Sequence, residues 1–172
     1  MVEVLQYVTL TRPDITYALH LVSQSMHAPH TTHMLTVKRI VGYLRGMVDH
    51  GLWPQSSTHP TCILAYLHAD WADCPDISQS TTRFTGFLSL NLVSWKTKKQ
   101  PIISKSSTEA EYRVIACIVQ DTIHIRSVLF ELGFQVKVHV TLFCDNIFVS
   151  YLTANPVQHA RSKHMQIDFH FV

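Results

Sequence analysis

Residues 107–132 carry a long helical pattern with strand-like runs on both sides of it. "TCILAYLH" (61–68), "TRFTGFLSL" (82–90) and "LVSWKT" (92–97) precede it, and "VHVTLFCD" (138–145) follows. One tight turn separates the second and third runs, so they pair as antiparallel neighbours. The fourth run can lie parallel to the first only if the helix serves as the crossover. A break near Asp121 would divide that helix in two. "NIFVSYLTA" (146–154) reads as a further helix, and "SKHMQIDFHFV" (162–172) as the start of a last one, cut off at Val172. The order β-β-β-α-β-α-α predicts an α/β fold, a mixed sheet with helices packed on it.

The first fifty residues have another character. Ile15, Leu19, Val22 and Met26 recur at helical spacing over 15–28, with Asp14 as a candidate N-cap. Met34, Val37, Val41 and Leu44 share a face over 33–46, and Gly46 can end that helix. "GLWP" and the polar "QSSTH" then read as a linker. The expected organisation is a helical hairpin over 1–50 and an α/β domain over 60–172 with a truncated C-terminal helix.

Composition supports a packed core: 47% of the 172 residues are hydrophobic and only 15% are charged. No apolar run reaches the roughly 18 residues a membrane span needs, and Met1-Val2-Glu3-Val4 has no basic leader character. Cys62, Cys74, Cys117 and Cys144 show no C-x-x-C spacing. Scattered thiols suit a reducing, intracellular compartment, cytoplasmic or nuclear. His27, His30 and His33 are spaced by three, but Pro29 interrupts them and surface-loop histidines are commoner than metal sites. The net charge of +2 hides an acidic zone (Asp49, Asp70, Asp73, Asp76) and a basic stripe (Lys96, Lys98, Lys99, Lys105). The stripe is either a solvated hairpin face or a grip for a polyanion.

The chemistry concentrates at strand ends. Ser106 and Glu109 have capping-box spacing. With 100° per residue, Glu109, Arg113 and Gln120 fall on the expected wet face, while Glu111 falls opposite among Val114, Ile115 and Ile118. A carboxylate there either reaches water at the helix start or meets a cation or donor. Asp145 ends the fourth strand, either as an N-cap or as a site residue. His68 ends the first. If those two strands are parallel neighbours, 68, 111 and 145 converge from three elements. Acids at all three would make a site for Mg²⁺ or Mn²⁺.

"LVSWKTKKQPIISKSSTEAEYRVIA" (92–116) resembles the core of the ribonuclease H domain in copia-type retrotransposon polyproteins. "LQYVTLTRPDITYALHLVSQSMHAP" and "VKRIVGYLRG" resemble the segment joining reverse transcriptase to that domain, and "FCDN", "TANPVQHARSKH" and "HFV" its tail. The resemblance implies a ribonuclease H-like mixed sheet of about five strands. It implies metal-dependent cleavage of RNA in RNA–DNA hybrids, with Mg²⁺ or Mn²⁺ as cofactor. Glu111 and Asp145 match the family's metal-binding acids. An upstream reverse transcriptase is the implied partner, with polymerase aspartates lying before Met1. The family pattern Y-x-D-A-D-W has its leading acid where this chain has His68, and an acid where it has Gln166. Asp70 and Asp168 are candidate substitutes, each two residues on. Neutral imidazole adds no negative charge, and hard Mg²⁺ prefers oxygen. The expected protein is therefore an impaired nuclease, or a non-catalytic nucleic-acid binder gripping phosphates through Lys96, Lys98, Lys99 and Lys105.

Overall fold

The computed structural model describes residues 1–56, 62–74, 77–134 and 140–154. The chain divides into two compact units, Met1–Pro54 and Gln55–Val172.

The second unit is α/β. Strands β1 (Ile63–Asp70), β2 (Thr81–Leu88) and β3 (Asn91–Lys99) form a meander. Helix α4 (Ser107–Glu131) follows, then β4 (Val140–Phe143) and α5 (Ile147–Ala154). The order across the sheet is β3-β2-β1-β4; β1 and β4 are parallel and the other pairs antiparallel. Four strands are present among the described residues, where about five were expected; the 162–172 segment, with Gln166 and Asp168, lies outside them. The β2–β3 hairpin turns through Ser89 and Leu90, with Ser89 at a φ of 55°. At the Gly86/Phe87 register shift, a side chain on Gly86 would sit 3.4 Å from the Ser94 Cβ.

Helix α4 packs on β1 and β2. Its buried stripe, Val114, Ile115 and Ile118, meets Leu67, Ala69 and Phe84. The helix is continuous. The expected break at Asp121 does not occur, because that carboxylate reaches sideways to accept from the Ser94 hydroxyl at 2.8 Å. Its start is capped by Ser106 Oγ, which accepts from the Glu109 amide at 3.1 Å. Gly133, at a φ of 85°, ends it: the Phe134 amide reaches the Leu129 carbonyl at 2.9 Å and the Gly133 amide the Phe130 carbonyl at 3.0 Å, a Schellman closure.

The loop from β3 to α4 is held by one buried amide. Gln100 Nε2 donates to the Ala110 carbonyl (2.8 Å) and to Thr82 Oγ1 (3.2 Å), and its Oε1 accepts from Ser104 Oγ (3.0 Å). Trp71 Nε1 donates to the Ser104 carbonyl at 2.9 Å. These bonds lock the first turn of α4 to the sheet.

The first unit contains α1 (Val2–Val8), a short 3₁₀ turn (Pro13–Ile15), α2 (Thr16–Ser23) and α3 (Thr31–Gly46). It exceeds the expected hairpin by α1, whose Leu5 joins Ile15, Leu19, Val22, Val37 and Ile40 in the core. Helix α2 stops at Ser23, leaving Met26 exposed. On α3 the buried stripe runs through Val37, Ile40 and Leu44, while Met34 and Val41 are exposed. Helix α2 packs against both α1 and α3.

Asp14 does not serve as the N-cap. It takes a bidentate pair from the buried Arg12 (Nε 3.0 Å, Nη2 2.7 Å) and accepts from the Tyr43 hydroxyl at 2.9 Å. Arg12 Nη1 also donates to the Met47 carbonyl at 2.9 Å, clamping the end of α3. Among the described residues no helix is long and apolar enough to cross a membrane.

Two outcomes follow from this packing. Ile118 is 2% exposed, so Ile118→Ala should cost about 3 kcal/mol in urea unfolding followed by tryptophan fluorescence. The hydrogen bond from Arg12 holds the Asp14 carboxyl below its ordinary 3.8, against the opposing effect of burial. The pair's contribution is therefore complete above about pH 4 and is lost as pH falls through the depressed folded value. Melts between pH 7 and pH 2 should show Asp14→Asn removing part of that acid limb.

Candidate functional site

The C-terminal ends of the parallel strands β1 and β4 lie side by side. Tyr66 pairs with Phe143, and their rings stack at 4.8 Å between centroids. Two residues further along the same face stand His68 and Asp145, with His68 Nδ1 3.4 Å from Asp145 Oδ2. Glu111, one turn into α4, closes the group. His68, Glu111 and Asp145 each offer a donor atom, all within 4.8 Å of one another. The three positions expected to converge do so.

Each side chain has a local reason for its place. Glu111 is 5% exposed on the apolar face of α4. The Cys144 thiol meets it, donating to Oε2 at 3.2 Å. Burial, with further raising contributions from Glu111 and Asp145, pushes that thiol up to about 11, against the lowering effect of the Asn146 amide. It is thus neutral at pH 7 and able to donate. Asp145 is not used as a cap. Asn146 does that work, its Oδ1 accepting from the Phe148 amide at 3.0 Å. The Asp145 side chain remains 66% exposed. His68 Nε2 lies 3.1 Å from Asp70 Oδ1, so the imidazole sits between two carboxylates.

Asp70, the candidate substitute ligand, shares the outward face of β1 with His68 but forms an ion pair with Arg83 on β2. It enters the site through His68, and it is not among the three residues that gather their donors. The acidic zone does not assemble as a unit. Asp49 belongs to the helical unit, Asp73 accepts from the Thr81 hydroxyl at 3.4 Å, and Asp76 lies outside the described residues.

Glu109 is not on a wet face. It is 5% exposed, paired with Arg113 at 3.0 Å, and accepts from the Lys105 amide at 2.9 Å. The basic stripe is split as well. The strand register puts Lys96 and Lys98 on the α4 side of β3, opposite Phe84 and Thr82. Lys99 alternates to the other face, where its amine lies 2.9 Å from Cys74 Sγ, and Lys105 sits exposed in the following loop. His30 and His33 are committed to capping α3, with His33 Nδ1 accepting from the His30 amide at 3.0 Å.

Three residues that matter here were not among the expected site residues: Cys144, Arg83 and Gln100. Arg83 had a signal, since it falls directly across from His68 once the meander is drawn in register.

Two carboxylates and an imidazole at the ends of β1 and β4 are of the types that could hold a metal ion. Transposon polyprotein RE2 of Arabidopsis thaliana, a retrovirus-related Pol polyprotein, is 42% identical over 168 residues, 98% of this chain. This chain is a homologue of one segment of the retrovirus-related transposon Pol polyproteins. It spans 12% of the length of that relative. The Pol polyprotein of transposon TNT 1-94 from Nicotiana tabacum is 33% identical over 162 residues, 94% of this chain and 12% of its own length. A secreted RxLR effector protein of Plasmopara viticola is 31% identical over 121 residues, 70% of this chain and 84% of its own length. No family model and no solved structure matches. The Pol homologues are parts of larger polyproteins.

The raised Cys144 thiol gives a direct check on the pocket. Iodoacetamide labelling followed by mass spectrometry should find Cys144 poorly alkylated at pH 8, with labelling rising as pH approaches 11.

Proposed function

We propose that the α/β unit is a ribonuclease H-like domain acting on RNA–DNA hybrids, a metal-dependent phosphodiesterase weakened by His68. The convergence of His68, Glu111 and Asp145 carries this reading, and the relationship to transposon Pol polyproteins supports it. An upstream reverse transcriptase in the parent polyprotein is the corresponding partner.

Glu111 and Asp145 would hold the cation, with one imidazole nitrogen of His68 as third donor. Ligands at about 2.1 Å from a divalent ion lie about 3 to 4 Å from one another, close to the observed spread of 4.8 Å. The donor set suits Mn²⁺ better than Mg²⁺, because imidazole is a poor partner for the harder ion. When bound, the cation supplies activation of water and neutralisation of the leaving oxygen.

The chain's own residues set how well that can work. Cys144 holds Glu111 by an S–H bond to Oε2. Asp145 faces solvent and is accessible to substrate. His68 brings no negative charge in its neutral form and cannot bridge two ions as a carboxylate can. Asp70 is tied to Arg83, so it supplies little compensation. That same arrangement favours the second reading, in which the domain binds nucleic acid without cutting it.

Cleavage of a labelled RNA–DNA hybrid with Mg²⁺ or Mn²⁺ tests the proposal. Wild type should cut weakly, and better with Mn²⁺. His68→Asp with Gln166→Glu should raise the rate at least about a hundredfold, matching restored charge stabilisation of several kcal/mol. Adding Glu111→Gln should abolish the gain. Robust wild-type cleavage would overturn the impairment, and silence from both proteins would overturn the nuclease assignment.

A further inference from the structure

We infer that a groove between β3 and α4, on the flank of the helix away from the metal-type pocket, binds a nucleic-acid strand through Lys96 and Lys98. This deepens the nucleic-acid half of the proposed function and gives it a second contact surface.

The position follows from the helix. Glu111 and Arg113 project about 200° apart on α4, so the pocket at Glu111 and the side bearing Arg113 are opposite flanks. Helix α4 packs over β1 and β2, and β3 lies at the sheet edge beyond them. The space alongside is a groove of about 340 Å³, lined by Lys96, Lys98, Arg113, Ala116, Cys117 and Gln120 among others. The Ser94–Asp121 hydrogen bond joins β3 to α4 one residue beyond Gln120. Arg113 is neutralised by Glu109, and Lys99, which also lines the groove, directs its amine to Cys74 Sγ at 2.9 Å, so the groove's working charge is carried by Lys96 and Lys98. The Lys96 amine lies 5.9 Å from the centre of the Phe84 ring, and Lys98 is exposed.

The chemistry of the occupant follows from three features. Lysines two residues apart on a strand are spaced by about 6.5–7 Å, comparable to the step between successive phosphates of one strand. None of the named lining residues is aromatic, so bases have no stacking platform and sequence preference should be small. The groove presents the side-chain face of β3 and not its row of backbone donors and acceptors, so it cannot extend the sheet with an acidic peptide. Phosphate is the group that needs charge without a backbone ladder.

Fluorescence anisotropy with a labelled single-stranded oligonucleotide, at low salt and in EDTA, separates this groove from any metal-bridged contact. Lys96→Gln/Lys98→Gln should weaken binding at least about tenfold. It should also flatten the slope of log affinity against log salt by about 1.4, the loss of two phosphate contacts. Lys96→Arg/Lys98→Arg should retain binding, and thermal melts of both pairs should match wild type. Lys38→Gln/Arg39→Gln, the same charge change in the helical unit, should stay within about twofold. Unchanged affinity in the Gln pair overturns the groove, as does a wild type that binds polyglutamate and not the oligonucleotide. Because no metal is present, failure of hybrid cleavage removes the nuclease reading and leaves this result standing. Loss of strand binding removes the groove and leaves the cleavage test standing.

Discussion

The parallel pairing of β1 with β4 governs the α/β unit. A parallel neighbour cannot follow through a tight turn, so a crossover must carry the chain over the face of the sheet. Helix α4 is that crossover, and it packs with Val114, Ile115 and Ile118 inward. Glu111 shares the inward stripe, so the hydrophobic demand that docks the helix also carries a carboxylate to the ends of β1 and β4, beside His68 and Asp145. The parallel register sets His68 beside Asp145 two residues past the Tyr66–Phe143 stack.

The supporting contacts are local and polar. Gln100 anchors the first turn of α4 through the Ala110 carbonyl, one residue from Glu111. Cys144 hydrogen-bonds the Glu111 carboxylate, and Asn146 takes the capping duty that would otherwise draw Asp145 toward α5. His68 is the one non-carboxylate among the three gathered side chains. With His68 between Asp70 and Asp145, and Asp70 held by Arg83, the two carboxylates flank an imidazole. The backbone frame accommodates the imidazole, because His68 is an outward-facing strand residue with its side chain 48% exposed. The strand thus carries an imidazole at this position with the pairing of β1 to β2 and β4 intact.

Much of this was legible in the residues because it rests on period and order. The alternation in 61–68 and the 100° step along 107–132 separate core from surface, and the strand–helix–strand order forces the crossover that unites 68, 111 and 145. What escaped depends on partners distant in sequence. Glu109 looks solvent-facing on a wheel, yet Arg113 and the Lys105 amide let it be buried. Asp121 looks like a helix break until Ser94 is known to reach it. The four lysines read as one stripe, although strand alternation already sends Lys99 to the opposite face from Lys96 and Lys98. Helix α1, whose Leu5 joins the core of the helical unit, is only weakly marked by the apolar count over 2–8.

The central claim is that three side chains from three elements surround one cation-sized space. Its most direct test is anomalous diffraction at the manganese edge from crystals soaked in MnCl₂. The account predicts a peak between His68, Glu111 and Asp145, bonded to a His68 nitrogen and lost in Glu111→Gln. A peak elsewhere in the chain, or an empty pocket at saturating Mn²⁺, would contradict it.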